Sequence, residues 1–293
     1  MKKKIELCLI GCASGLAGAD TNSGNGPLVI QNSSFWQALK NDEMQVRWEV
    51  MLTPKLSISL DDALKDLYQQ LAKKVSNMVK QEMRACVVGG DHSCAIGTWS
   101  GVYDAVHQKG DIGLIWVDAH MDSHTPETSE SGRIHGMPLA CLLGYGFTSL
   151  TNILHTAPKI KPENLCLIGV RSFEPGEAEF LKRLNVRIYD MEEVRQRGFE
   201  VVMNEAMQVV SEKTIGYGLS IDLDGIDPKE APGVDVPEPN GIHVHDLIAG
   251  VRQLANDPRL LLTEIVEFDP QRDIDRKTEK IFVDLLKTLA MNE

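Results

Sequence analysis

Three short apolar runs, far apart in the chain, each end in side chains suited to hard cations. His92 follows Ala85–Gly89 within Gly-Gly-Asp-His-Ser. Asp118, His120 and Asp122 end or follow Ile112–Asp118 within Asp-Ala-His-Met-Asp. Asp222 closes Gly216–Asp222, and Asp224 comes two residues later. An apolar run of this length without alternation reads as a strand covered on both faces, as in parallel sheets. Any fold that packs these runs side by side must gather four carboxylates and two imidazoles. That gathering is costly unless cations compensate the charge.

The spacing supports the same reading. Asp118, His120 and Asp122 stand at i, i+2 and i+4, which puts their side chains on one side of extended chain. Asp222 and Asp224 repeat the pattern. A lone Asp at a strand end is often a helix cap, and Asp91 suits the role of orienting its neighbours. Capping does not explain three separate strand ends of this kind. The donors are nitrogen and oxygen without sulfur, which favours manganese or magnesium over structural zinc, and imidazole tilts the choice to manganese. Four aspartates nearly balance two divalent ions, which points to hydrolysis by a metal-activated water.

Further strand-like runs are Ile5–Gly11, Leu165–Val170, Val186–Tyr189 and Leu261–Glu267. Between the runs, Leu60–Glu82 carries apolar residues three to four apart, with Asp61 and Asp62 in its first turn, as an amphipathic helix requires. Glu177–Leu184, Glu200–Val210, His245–Leu254 and Thr278–Leu289 also read as helices. The alternation predicts one doubly wound α/β domain over residues 1–293 with a largely parallel sheet, whose ligands lie beyond the carboxyl ends of the strands. Two long loops, Asp122–Gly136 and Pro228–Gly241, directly follow candidate metal strands and read as functional.

Composition sets outer bounds. Lys+Arg 30 against Asp+Glu 42 gives a net charge of −12, which argues against nucleic acid or an anionic membrane as partner. No apolar run approaches a membrane span, and the start reads as a strand, not a signal peptide. Six cysteines without a C-x-x-C pair predict reduced, buried thiols and a cytoplasmic protein. Gly11, Gly15 and Gly18 do not make a dinucleotide fingerprint. His243 and His245 read as surface or helix-entry positions, and Cys94 as a small core residue.

The separated motifs resemble those of the arginase family of binuclear manganese ureohydrolases. They are Gly-Gly-Asp-His-Ser at 89–93, Asp-Ala-His-x-Asp at 118–122, Ser-Gly-x-x-His-Gly-Met-Pro at 131–138, Ser-x-Asp-x-Asp-Gly-x-Asp-Pro at 220–228, and Glu-Phe-Asp-Pro at 267–270. The resemblance implies a three-layer α/β/α fold, two manganese ions held by His92, Asp118, His120, Asp122, Asp222 and Asp224, and a homo-oligomer, trimer or hexamer. It implies hydrolysis of a guanidino C–N bond, first of all L-arginine to L-ornithine and urea. Glu267 would face the guanidinium, and His135 would move protons for the leaving amine. His124, Ser129, Ser131, Arg133, Glu174 and Glu177 would meet the other end of the substrate.

The chain also departs from the family pattern. His124 and Arg133 stand where arginases usually carry asparagine, and Glu174 stands where they usually carry aspartate. Gly233-Val234-Asp235-Val236-Pro237 lacks the usual threonines, and Arg272–Thr278 is similar to formimidoylglutamases. Agmatine, formimidoylglutamate or another guanidino acid therefore stays open as substrate. A metal-binding protein without catalysis is the alternative of a different class.

Overall fold

A computed structural model describes residues 6–37 and 45–291 of the chain. Ile5, read as the start of the first strand, lies outside them. Eight strands form one sheet: β1 (Glu6–Cys12), β2 (Gln45–Leu52), β3 (Ala85–Gly89), β4 (Gly113–Val117), β5 (Leu165–Val170), β6 (Arg187–Asp190), β7 (Tyr217–Asp222) and β8 (Leu260–Val266). Their order is β2-β1-β3-β8-β7-β4-β5-β6, and every pairing is parallel.

Parallel strands need covered faces, and their side chains divide accordingly. Cys8 and Ile10 of β1, Val87 of β3, and Leu114 and Trp116 of β4 join one core. Leu7, Leu9, Val88, Ile115 and Val117 join the other. The helices Leu60–Lys80 and Ala95–Val106 cover the first face, and Phe199–Glu212, Val244–Ala255 and Lys277–Ala290 cover the second. The result is three layers, α/β/α. On β7 the alternate position Gly218 leaves room for Trp99: a β-carbon there would lie 1.9 Å from its ring.

The first long helix begins where the sequence places it. Ser59 caps it by accepting from the Asp62 amide at 3.2 Å, and Asp61 and Asp62 favour its positive end. The expected strands correspond to seven of the eight found. β2 escapes because it is an edge strand with a half-exposed, alternating face; Gln45, Arg47 and Glu49 stand exposed along it. Ala95–Val106 escapes for the opposite reason. It is buried almost all round, so no polar face marks a helical period.

β3, β8, β7 and β4 are neighbours at the centre of the sheet. The residues singled out around 92, 267, 222 and 118 follow the carboxyl ends of these four strands. The sheet order thus delivers the distant motifs to one place.

Candidate metal centre and active site

Two groups of side chains bring their ligand atoms within 4.8 Å of one another: His92, Asp118, Asp122 and Asp222, and Asp118, His120 and Asp224. Asp118 belongs to both. His92 Nδ1 faces three carboxylate oxygens, at 3.2 Å from Asp118 Oδ2, 3.1 Å from Asp122 Oδ2 and 3.1 Å from Asp222 Oδ2. His120 Nδ1 lies 3.0 Å from Asp224 Oδ2 and 3.5 Å from Asp118 Oδ1. All are buried except His120, which is partly open to the cavity.

A shell of fixed partners aims these groups. His92 is stacked on Trp116, with ring centroids 3.9 Å apart. Its Nε2 lies 2.9 Å from Ser220 Oγ, which donates to Glu264 Oε2 at 2.9 Å. Ser220 therefore accepts from Nε2–H, and Nδ1 is left to face the aspartates. Trp116 Nε1 donates to Asp118 Oδ2 at 2.8 Å, the Asp224 amide to Asp222 Oδ1 at 2.8 Å, and the Ala119 amide to Asp224 Oδ1 at 3.2 Å. Sequence reasoning names Ser220 only as the first residue of a motif, without a role, and does not single out Trp116 or Glu264. Glu264 left a signal, a lone carboxylate inside an apolar run.

The charges show what the site lacks from protein alone. Burial pushes Asp122 and Asp222 up, and Asp118 adds to the rise in both; for Asp222 the larger carboxylate contribution is Asp224. His92 is raised far above the ordinary imidazole range: burial opposes its charge, but Asp118, Asp122 and Asp222 outweigh it. A proton between an imidazole and three carboxylates does the work of a cation. Several carboxylate oxygens converging on one lone pair, with no Lys or Arg among them, fit a divalent ion.

Glu267 sits at the end of β8, and its amide donates to Gly90 O at 2.8 Å. On its other side Gly90 packs against the main chain after β1, where a β-carbon would lie 2.0 Å from Ser14 O. Glu267 Oε1 accepts from the His92 amide at 2.7 Å and lies 3.8 Å from His135 Nδ1. Its Oε2 is buried without a hydrogen-bond partner among the described residues. Such an atom in a cavity wall calls for a donor from a ligand. Burial raises Glu267 to about 7, against the pull of His135. Burial works against a charge on His135, but Glu267, with Asp122 and Asp91, raises it to about 9. Asp122 (φ 46) and Glu267 (φ 64) both hold left-handed backbone, a strain typical of functional positions.

A cavity of about 630 Å³ opens over these groups, and His120, His135 and Glu267 line its floor. His124, Ser129, Ser131, Arg133, Glu174 and Glu177 line it too, so every expected substrate residue borders the same space. Ser129 Oγ accepts from the Gly132 amide at 3.0 Å and Ser131 Oγ from the Arg133 amide at 3.3 Å, which leaves both hydroxyl hydrogens to donate. Arg133 is exposed at the rim, with no ion pair to another described residue. His124 Nε2 lies 2.9 Å from Glu174 Oε2. Asp91 orients its surroundings, accepting from the Ser93 and Ala17 amides at 3.1 Å. His243 and His245 are exposed and lie outside the cavity.

Sequence reasoning also passed over Arg171. Its guanidinium donates to the carbonyls of Asp224, Glu238, Pro239 and Gly169 at 2.7–3.1 Å. It thereby ties the turn after β7 to the loop that follows it.

Comparison with known proteins agrees with this geometry. The arginase family model matches residues 6–291. An arginase of Bacillus caldovelox is 43% identical over 227 residues, covering 78% of this chain and 75% of its own. One of Bacillus subtilis is 41% identical over 238 residues, covering 79% of each chain. The solved structure of the Bacillus caldovelox arginase superposes with a TM-score of 0.90 at 34% identity, covering 99% of both chains. The chain belongs to the arginase family.

Proposed function

We propose that this protein hydrolyses L-arginine to L-ornithine and urea with two manganese ions. The observation that carries the reading is the unpartnered Glu267 Oε2, buried in the cavity wall beside two sets of hard ligands. A guanidinium is the cation that such a carboxylate grips with two parallel hydrogen bonds. The relatives at 41–43% identity are arginases, which favours arginine over formimidoylglutamate or agmatine.

In this reading His92, Asp118, Asp122 and Asp222 would hold one ion, and His120 and Asp224, with Asp118, would hold the other. When bound, such ions would supply Lewis acidity and activate a water for attack. Glu267 orients the guanidinium and fixes its carbon above the floor of the cavity. His135 holds a proton on its ring and gives it to the departing amine. Ser129, Ser131 and Arg133 present donors for the α-carboxylate; Glu174 and Glu177 present carboxylates for the α-ammonium.

The same reading makes residues 1–293 one ureohydrolase domain, working in the cytoplasm as a trimer or hexamer. Six buried, unpaired cysteines support a reducing compartment, and family membership supports the assembly. No helix among the described residues is long and apolar enough to cross a membrane.

The test is an assay of the manganese-loaded protein on arginine, agmatine and formimidoylglutamate. Urea from arginine is expected. Turnover of another compound with none from arginine would overturn the substrate. Glu267→Gln should cost about 2–5 kcal/mol in kcat/KM, the usual loss when a buried charge pair is broken.

A further inference from the structure

We propose that the mouth of the cavity is a third cation site, formed by His124, Glu174 and Glu177, which takes zinc in competition with the ammonium end of the substrate. His124 comes from the loop after β4. Glu174 caps the helix Pro175–Arg183, and Glu177 is its third residue. Their ligand atoms lie within 4.8 Å of one another, at a place separate from the two groups on the floor. His124 Nε2 is 2.9 Å from Glu174 Oε2 and 3.4 Å from Glu177 Oε2. A tetrahedral zinc with bonds near 2.0–2.1 Å separates its donors by ~3.4 Å, so small side-chain shifts suffice.

Neighbouring contacts already aim these donors. His124 Nδ1 lies 3.1 Å from Thr128 Oγ1, and with its proton there Nε2 presents a lone pair to the glutamates. Glu177 accepts from the Ser123 amide at 3.1 Å through Oε1 and from the Glu174 amide at 3.2 Å through Oε2, so its carboxylate is fixed. The Glu174 side chain is 64% exposed and can swing to admit an ion. The positive end of the helix opposes a cation, and burial with the neighbouring Glu174 raises Glu177 to about 8, so an ion entering here displaces the proton that the two glutamates share. One imidazole and two carboxylates with an open fourth position make a zinc set of the three-ligand kind, and zinc binds such donors more tightly than manganese does.

The choice of competitor rests on the arginine reading; the site itself does not. The experiment adds zinc chloride to the manganese-loaded protein, removes unbound metal and counts both elements. Zinc can also exchange into the floor, so the total decides: we expect it to rise from two ions to three, with zinc gained beyond any exchange. The zinc should be lost in His124→Asn and in Glu174→Gln, and displaced by excess ornithine. Cobalt(II) in its place should show the strong visible bands of four-coordinate geometry. Zinc gained only as manganese is lost, or a third ion that persists in His124→Asn, would overturn the proposal. Absence of urea from arginine would instead sink the substrate reading, with the metal count still decided.

Discussion

At the scale of single residues, the site is a problem of charge that the protein solves only halfway. Asp122 and Asp222 are buried against other acids, and protons held by His92 and His120 offset part of that cost. Removing one carboxylate should therefore remove the metal. Asp122→Ala or Asp224→Ala is expected to lower bound metal and activity together, measured by elemental analysis alongside urea release; full activity in either would remove that residue from the ligand set. His135→Asn should separate the two readouts, with metals retained and kcat lower by roughly 10²–10⁴-fold, the range for a lost general acid–base. The candidate metal ligands were legible in the sequence because acids and histidines at i, i+2 spacing stand out after apolar runs. Trp116 was not, and Ser220 stood in a motif without a role, since what they touch appears only when the strands are laid side by side.

At the scale of elements, legibility followed the physics of burial. Central strands announced themselves as unbroken apolar runs, whereas β2 hid behind the charges of an edge and Ala95–Val106 behind the absence of a polar face. The loops were recognised by length, but what fixes them was not. Arg171 holds its loop through backbone carbonyls, which carry no sequence signature. Arg171→Met should destabilise the protein by about 3 kcal/mol, from several charge-assisted hydrogen bonds lost together. A lower denaturant midpoint at unchanged slope would report it. Asp104 performs a similar task between helices, accepting from Ser76 at 2.6 Å, Lys80 at 2.8 Å and the His155 ring at 2.7 Å. Burial opposes its charge, but these donors, Lys80 first, hold its carboxyl well below the usual carboxylate range. A depressed carboxyl stabilises the fold above the ordinary value near 3.8 and loses that contribution as pH falls through its own lower value. Asp104→Asn should therefore cost about 1–2 kcal/mol at neutral pH, with the gap to the natural protein closing below about pH 4.

At the scale of the whole molecule, the metal site is also a fastening. Its side chains follow β3, β4 and β7, so ions bound there would join three central strands that lie far apart in the sequence. A ligand that binds only the folded state stabilises it by mass action, about 2.7 kcal/mol per site at a hundred times Kd. For a chain of this size that raises Tm by roughly 5 °C. The effect should depend on pH in a definite sense. His92 and His120 are raised above 6.5 in the folded protein. Their protons stabilise the metal-free fold fully below 6.5 and are lost as pH rises through the higher folded values. Metal must displace those protons, so manganese competes poorly at pH 6 and well at pH 9. The Tm of metal-free protein should fall between these values, and the gain from added manganese should grow. Calorimetry on the natural protein and on Asp222→Asn measures both. A manganese shift equal at pH 6 and pH 9, or one retained in Asp222→Asn, would show that the ion binds somewhere other than at these strand ends.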